Sequence, residues 1–309
     1  MRVCVSLSFS LFFSPVAETA ALTQRKGMDA GSTDNTPMTE EAILRRCKMH
    51  QGYATPELNE KLYLHYVGFR KITSLESFYN CTVLYLNNNA IDSLEGLYPL
   101  QQLHSLYLSN NALQDCRSLP TLPALRLLDI SNNGITSLEG LASALGLETL
   151  LAARNRVANL QGLEPLDHLN TIDVSHNLIS QADHALPLLL RKKELRTCML
   201  QGNQFVRTTP SYRKFLIAQI PSLRFLDQYP IFYEERSCAE AYAIGGVELE
   251  KAKREENQRN EDEERLKQFL FFTEARATMR EHRMTEGLCV GSTVCFDCNN
   301  YEDVYVPNR

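Results

Sequence analysis

The chain has 309 residues, of which 44% are hydrophobic and 22% are charged, and its formal net charge at pH 7 is −5. This length and apolar content are sufficient to bury one continuous core, as in a folded protein in water. The small negative charge provides no electrostatic footprint for nucleic acid or an anionic membrane, and so argues against both classes of partner.

Residues 1–37 form a leader before the first predicted structural element. Residues 1–21 resemble a secretory signal peptide, with an apolar run from Val3 to Phe13. However, the nine cysteines are scattered, which favours a reducing compartment over a disulfide framework. The start at Met1, Met28 or Met38 stays open, and the two later methionines would remove the signal-like stretch. We expect the leader to be disordered and regard secretion as the less favoured interpretation.

Residues 38–57 are predicted to form an N-terminal cap. The apolar spacing from Thr39 to His50 indicates a short amphipathic helix. Its inner face is expected to cover the first repeat of the domain that follows, with these side chains: Ala42, Ile43, Cys47 and Tyr53.

Residues 58–205 contain about seven copies of one pattern. Six asparagines mark it, at intervals of 22 residues that widen to 26 at the last step: Asn89, Asn111, Asn133, Asn155, Asn177 and Asn203. The same apolar frame surrounds each of them, and a weaker upstream copy has Val67 in place of the asparagine. This period and frame are the signature of leucine-rich repeats. The sequence therefore predicts an α/β leucine-rich repeat solenoid of the 22-residue class.

Each repeat is predicted to contribute one short strand, whose alternate side chains point into a shared core. The asparagine that follows the strand is expected to be buried and to bind the backbone of the turn through its amide, because buried turns must satisfy their polar groups. Leu94, Leu97 and Leu100 show the three-residue spacing of tight helical turns on the convex side.

Residues 206–236 are predicted to form the C-terminal repeat cap, since a solenoid must shield its last hydrophobic face from water. A helix from Tyr212 to Gln219 would place Phe215, Leu216 and Ile220 over the open end. The run from Leu226 through Asp227 to Pro230 resembles the ending of cytoplasmic leucine-rich proteins.

Residues 237–286 lose the repeat pattern and fill with charged side chains and alanine. They predict a charged, solvated helix that carries a partial apolar stripe at Leu266, Phe269, Leu270, Phe272 and Met279. This stripe is interpreted either as packing on the solenoid or as a docking surface for a partner. Residues 287–309 are expected to be a disordered tail, in which a Cys-x-x-Cys pair is a weak metal signal; its cysteines are Cys289, Cys295 and Cys298.

The concave face of the solenoid is the predicted protein-binding site. One outward side chain per strand lies between the two core residues, and these are Tyr63, Tyr85, Tyr107, Asp129, Leu151, Asp173 and Met199. Three consecutive tyrosines form an amphipathic platform of a kind favoured in protein interfaces. Tyrosine is also a good exposed strand former, which is the alternative explanation.

No catalytic motif was identified in the sequence. It lacks a phosphate-binding glycine loop, a zinc-protease helix motif and a nucleophile elbow. Asp129 and Asp173 lie two repeats apart, about 10 Å at ordinary strand spacing, which is wide for a general acid–base pair. We therefore predict a non-catalytic protein with no cofactor and no metal.

Two segments outside the repeats resemble one family. The segment from Tyr53 to Phe69 and the segment from Glu235 to Gly246 are similar to the axonemal dynein assembly factor 1 family. The second segment carries the motif Cys-Ala-Glu-Ala-aromatic-Ala-x-Gly-Gly, represented by Cys238, Ala239, Glu240, Ala241, Tyr242, Gly245 and Gly246. The resemblance covers about residues 38–258. The signal-like leader, the tail and the short charged region depart from the family pattern.

The resemblance implies a cytoplasmic scaffold for preassembly of dynein arms, with association to cilium, flagellum or basal body. It also implies axonemal dynein subunits and cytosolic chaperones or other assembly factors as partners. Separately, we expect Gly245–Gly246 to form a joint before the charged helix, because glycine adopts backbone conformations that other residues avoid. Three alternatives remain at this stage. Phosphatase-regulatory and spliceosomal leucine-rich proteins share the cap, and a secreted leucine-rich binding protein would follow from residues 1–21.

Overall fold

The computed structural model of the protein describes residues 37–285. The signal-like stretch and Met28 lie outside the described residues, and so does the cysteine-containing tail. Within the described residues, no helix combines the length and the hydropathy needed to cross a membrane.

Helix α1, Glu40–Met49, closes the N-terminal end of the solenoid. Thr39 caps it, because its side-chain oxygen accepts a hydrogen bond from the amide of Ala42 at 3.3 Å. Ile43 and Cys47 are buried in the core. Tyr53 was expected to join them, and this was wrong: it lies beyond the helix in an irregular segment and is 60% exposed.

The seven repeats form a parallel sheet in chain order, each with a three-residue strand. The strands are β1 Lys61–Tyr63, β2 Val83–Tyr85, β3 Ser105–Tyr107, β4 Leu127–Asp129, β5 Thr149–Leu151, β6 Thr171–Asp173 and β7 Thr197–Met199. Lys61 pairs with Val83, and the same 22-residue offset is kept as far as β6. Thr171 then pairs with Thr197, because helix α2, Ala182–Arg191, occupies the longer last step. The predicted leucine-rich repeat solenoid is therefore confirmed.

Asparagine side chains join each repeat to the one before it. Asn155 accepts a hydrogen bond from the amide of Ile135 at 3.1 Å and donates to the carbonyls of Ile130 and Ala152, both at 3.0 Å. The other five make equivalent contacts, so the predicted bonding to the turn is observed. All six asparagines were predicted to be buried, and this was wrong for three of them. Only Asn155, Asn177 and Asn203 are buried.

Three cysteines take the place of larger apolar residues in this core. Cys81, Cys116 and Cys198 are free and fully or almost fully buried. Burial raises the pKa of the Cys81 and Cys116 thiols to about 12, and it raises the pKa of Cys198 as well. These thiols therefore stay protonated and behave as small hydrophobic side chains.

In each repeat, the residue just before the recurring asparagine (Asn89 and its five equivalents) has a left-handed backbone. Asparagine occupies this column at Asn88, Asn110 and Asn132, and glycine occupies it at Gly202. Asparagine tolerates such a conformation because its short side chain makes local hydrogen bonds. Arg154 and His176 hold the same positive φ, at 56° and 54°, without that advantage. The solenoid therefore carries local backbone strain in its fifth and sixth repeats.

Replacing Arg154 by asparagine is expected to stabilise the protein by about 1 kcal/mol, because a left-handed backbone costs most L-residues about 1–2 kcal/mol. Arg154 is exposed, so little packing is lost. Urea denaturation measures the gain. Arg156→Asn is the matched control, since Arg156 is also exposed but has no positive φ. Equal effects of the two substitutions would contradict the strain argument.

The C-terminal cap consists of α3, Gln204–Thr208, α4, Tyr212–Gln219, and strands β8, Phe225–Leu226, and β9, Tyr229–Pro230. Leu216 and Ile217 of α4 are buried. Phe215 was expected to cover the open end, but it is 39% exposed because α4 turns Leu216 and Ile217 inward instead. Asp227 follows β8, and its carboxylate accepts hydrogen bonds from the amides of Leu200 and Gln201, which follow β7.

Helix α5, Tyr233–Thr285, is interrupted at Gly245 and Gly246, whose backbones are not helical. Gly246 has a φ of 67°, a conformation that glycine adopts at no steric cost. The chain reverses direction at this joint, since Asn257 beyond it donates a hydrogen bond of 2.8 Å to Ser237 before it. The charged region is therefore a hairpin of two helical arms that begins at the cap.

Candidate protein-binding groove

The concave face carries a stack of aromatic rings in its first three repeats. Tyr63, Tyr85 and Tyr107 are aligned by strand register, and we call these three residues the tyrosine ladder. The ring centroids of Tyr63 and Tyr85 lie 5.0 Å apart, and those of Tyr85 and Tyr107 lie 4.7 Å apart, with the rings 6° and 5° from parallel. The ladder therefore offers a partner its ring edges and hydroxyl groups, because the faces are largely occupied by stacking.

Two histidines extend the ladder at its N-terminal end. His50 follows α1, and its ring lies 5.0 Å from that of Tyr63; the ring of His65 lies 5.7 Å from that of His50. His50 was not predicted to lie here, because no repeat register relates it to the strands. The available signal was its position at the end of a helix predicted to cover the first repeat.

The ladder and its histidines form a neutral surface at pH 7. Burial raises the pKa of Tyr85, and burial together with nearby Asp129 raises that of Tyr107, so both hydroxyls stay protonated. Burial and the positive charge of Arg46 lower the pKa of both His50 and His65. These imidazoles are therefore uncharged under neutral conditions.

Negative charge begins where the ladder ends. Asp129 is the register partner of Tyr107, and Asp173 lies two strands further along. Each aspartate accepts a hydrogen bond of 3.0 Å from the amide two residues ahead, which fixes its side chain at the strand end. The groove thus has an aromatic, neutral N-terminal half and an acidic centre.

The remaining predicted groove residues contribute unequally. Leu151 lies in the predicted column between Asp129 and Asp173, but it is only 9% exposed. Its prediction as an outward binding residue is corrected, since an apolar side chain between two carboxylates gains more from packing on the sheet than from solvent. Met199 is half-exposed at the C-terminal end of the column.

The Cys-Ala-Glu-Ala segment lies on the C-terminal cap and belongs to the first arm of α5, so the structure does not bring it to the groove. Ala239 is buried against the core. Tyr242 lies with its ring centroid 4.7 Å from the Lys214 ammonium, a cation–π contact with α4. Glu240 is exposed, and Cys238 and Ala241 are half-buried. Gly245 and Gly246 form the reversal between the arms.

Ion pairs fasten both arms to α4. Arg213 binds Glu235 of the first arm through two hydrogen bonds of 2.6 and 2.8 Å. Lys214 binds Glu250 of the second arm at 2.6 Å, and Glu250 is only 6% exposed. Planar, two-point pairing by arginine fixes direction as well as distance. These ion pairs therefore hold both arms of α5 against the cap.

In the part of the chain that the structure describes, no group of three or more histidine, cysteine or acidic side chains is arranged to hold a metal ion. The tail cysteines of the weak metal signal fall outside that part.

Fold and site together define a leucine-rich repeat protein, and family models agree. "Leucine-rich repeat" matches residues 120–254, and "Leucine Rich repeats (2 copies)" matches residues 79–121. The solved structure of an internalin C2 from Listeria monocytogenes covers 62% of this chain and 86% of its own, with a TM-score of 0.52 and 22% identity. That likeness concerns the fold alone.

Sequence relatives are more specific. The leucine-rich repeat-containing protein ODA7 of Chlamydomonas reinhardtii is 48% identical over 259 residues, which cover 83% of this chain and 60% of the relative. Dynein axonemal assembly factor 1 of Homo sapiens is 49% identical over 233 residues, which cover 74% of this chain and 32% of the relative. The chain belongs to the axonemal dynein assembly factor 1 family. It spans less than two-thirds of the length of these two relatives.

Proposed function

We propose that the protein is a non-catalytic interaction scaffold for cytoplasmic preassembly of axonemal dynein arms, and so for the assembly and stability of cilia or flagella. The observation that carries the proposal is the 49% identity, over 74% of this chain, to a relative named dynein axonemal assembly factor 1. The leucine-rich fold is one that binds macromolecules far more often than it catalyses.

The groove is proposed as the binding surface for axonemal dynein subunits, or for chaperones and other assembly factors that accompany them. The tyrosine ladder supports this role because its rings are already ordered by stacking before a partner binds. A preordered surface binds with a smaller loss of conformational entropy. The same proposal locates the protein in the cytoplasm, with association to the cilium, flagellum or basal body.

The three alternatives considered from the sequence are not favoured by the named relatives. Phosphatase-regulatory and spliceosomal leucine-rich proteins would share the repeats and the cap, but the relative that is 49% identical over 74% of this chain is named for dynein assembly. Secretion depended on residues 1–21, which lie outside the described residues.

The double substitution Tyr85→Ser and Tyr107→Ser is expected to weaken partner binding by about ten-fold or more, since buried tyrosines are frequent hot spots. The melting temperature should fall by only a few degrees, because stacked pairs contribute about 0.5–1.5 kcal/mol each. Binding is measured by quantitative mass spectrometry of proteins that co-purify with the tagged chain from ciliated or flagellated cells.

Tyr98→Ser is the matched control, because Tyr98 is 74% exposed and lies outside the strands. Recovery of axonemal dynein heavy chains with wild type and control, and their loss with the double variant, would support both the function and the site. Recovery of dyneins with all three proteins would reject the groove alone. Recovery of a phosphatase catalytic subunit in place of dyneins would reject the function.

A further inference from the structure

The floor of the groove carries few charges. We define the floor as the first and third side chains of each strand β1–β7, together with the second side chain after each strand. All of these residues are described, and the only charged ones at pH 7 are Lys61, Asp129 and Asp173, since His65 is neutral. Lys61 lies three strands from Asp129, about 14 Å at ordinary strand spacing. The charges in the middle of the floor are therefore both negative.

Each of these two carboxylates has an oxygen without a partner. Asp129 and Asp173, which we call the aspartate pair, are both half-buried, and one oxygen of each accepts the amide of Ser131 or Ser175 at 3.0 Å. Among residues 37–285, neither carboxylate forms an ion pair or a second hydrogen bond. A partly desolvated charge without a counter-ion is unfavourable, so a cation from outside the chain would stabilise both.

Arginines lie along the rims of the groove, but they do not neutralise the aspartate pair. Arg126 is bound to Glu148, with 3.6 Å between its Nε and the carboxylate oxygen. Arg154, Arg156 and Arg196 are exposed, and none of them is ion-paired with either aspartate. Exposed charges are screened by water and salt, whereas a half-buried carboxylate is screened much less. The floor therefore keeps a local preference for a cation.

The surface between the two carboxylates is apolar. Leu151 separates them in the same column and is only 9% exposed, and Ala153 lies beside it. The two strands are about 10 Å apart, and charge-assisted bonds of about 2.8 Å to both carboxylates leave about 4 Å between the donors. A guanidinium has five donors in a planar fork, so it can bind one carboxylate at each edge, whereas an ammonium is a compact point charge. The aspartate pair therefore fits an arginine better than a lysine.

The tyrosine ladder continues directly from the aspartate pair. Tyr107 is the register partner of Asp129, and the stacked rings run from Tyr107 to Tyr63. The ring edges offer apolar surface to side chains that lie beside the arginine. From Leu151 to Tyr85 the distance is three strands, which an extended chain spans in about four residues and a helix in about nine. One short segment can therefore occupy both sites.

We propose that the groove recognises a protein segment in which an arginine binds the aspartate pair and neighbouring apolar residues cover the tyrosine ladder. The occupant is a basic, partly apolar stretch of a partner protein, selected by charge at one site and by apolar contact at the other. This inference rests on the groove being the binding surface of the proposed function, and it adds the chemistry by which a partner is chosen.

The double substitution Asp129→Asn and Asp173→Asn removes the charges but keeps the fold. Asparagine retains an oxygen for the amide two residues ahead, so the melting temperature should change by only a few degrees. The matched control is Asp92→Asn with Glu95→Gln, because both residues are exposed and lie outside the strands. The control removes the same amount of negative charge from a different surface.

Co-purification from ciliated or flagellated cells compares these variants with the tyrosine double variant, Tyr85→Ser with Tyr107→Ser. Proteins that bind wild type and are lost with the tyrosine double variant are the groove partners. The aspartate variant is expected to lose the same proteins, and the control variant is expected to retain them. Retention of the groove partners by the aspartate variant overturns the proposal, and so does a tyrosine double variant that loses no partner.

Peptides test the arginine itself. Overlapping synthetic peptides that cover each groove partner are measured by fluorescence anisotropy, and the tightest binder is remade with neutral citrulline in place of each arginine. One such replacement is expected to weaken binding to wild type by about ten-fold or more and to leave binding to the aspartate variant unchanged. Equal binding of both peptides by wild type overturns the proposal, as does the absence of any binding peptide.

The two proposals fail separately in these experiments. Groove partners that need the aspartate pair but are not axonemal dyneins or their assembly factors would support the arginine site and reject the proposed function. Dyneins that still bind both the tyrosine double variant and the aspartate variant would support the proposed function and overturn the arginine site.

Discussion

Replacing Asn155 by alanine is expected to lower the free energy of unfolding by about 3–5 kcal/mol. The side chain is 7% exposed and bonds the amide of Ile135 and the carbonyls of Ile130 and Ala152. Truncation leaves these backbone groups buried without partners, and each unsatisfied group costs about 1–3 kcal/mol. Urea denaturation followed by circular dichroism measures the loss.

Asn260→Ala is the matched control for this prediction. Asn260 is exposed on α5, where alanine is the better helix former, so the substitution should be neutral or slightly stabilising. A loss below about 1 kcal/mol for Asn155→Ala is within the range of one ordinary hydrogen bond. It would show that water or neighbouring groups bind these backbone amides and carbonyls when the side chain is absent.

Gly162→Ala is expected to destabilise the protein by about 4 kcal/mol, because two independent costs combine. Gly162 has a φ of 95°, which costs an L-residue about 1–2 kcal/mol. A Cβ at this position would also lie 2.3 Å from the carbonyl oxygen of Leu138 in the preceding repeat. Relief of such a contact must separate two packed repeats, and overpacking typically costs about 1–3 kcal/mol.

Gly68→Ala separates these two costs. Gly68 has a similar φ of 89°, but nothing lies within 4 Å of its Cβ position. Its substitution should show the backbone cost alone, and the difference between the two variants should measure the contact between repeats. Equal losses would mean that the repeats shift apart freely and that close backbone approach is unimportant for the solenoid.

The sequence predicted those features that depend on local pattern. The interval between asparagines predicted the strand register, since each repeat must place the same side chain in the same backbone environment. The kink at Gly245 and Gly246 was predictable because glycine alone enters such a backbone without strain. The three tyrosines followed from the register as well, because alternate side chains of a strand share a face.

Features that depend on packing between elements were not predictable in this way. Leu151 occupies an outward column but is covered, and Tyr53 follows a capping helix but stays in solvent. His50 reaches the tyrosine ladder only because α1 folds across the first repeat. The ion pair between Glu250 and Lys214 was not predictable either, because the two residues are far apart in the sequence and no local pattern relates them.

The asparagine side chains that join the repeats also affect the order in which the repeats can be completed during synthesis. Each ladder side chain bonds backbone groups of the repeat before it, so a turn is completed by a residue that is synthesised later. A chain emerging from the ribosome would therefore always carry one open turn at its growing end. The turn after β7 is closed by Asp227, whose carboxylate binds the amides of Leu200 and Gln201. Until Asp227 has been synthesised, these two amides lack the carboxylate that they bind in the folded chain.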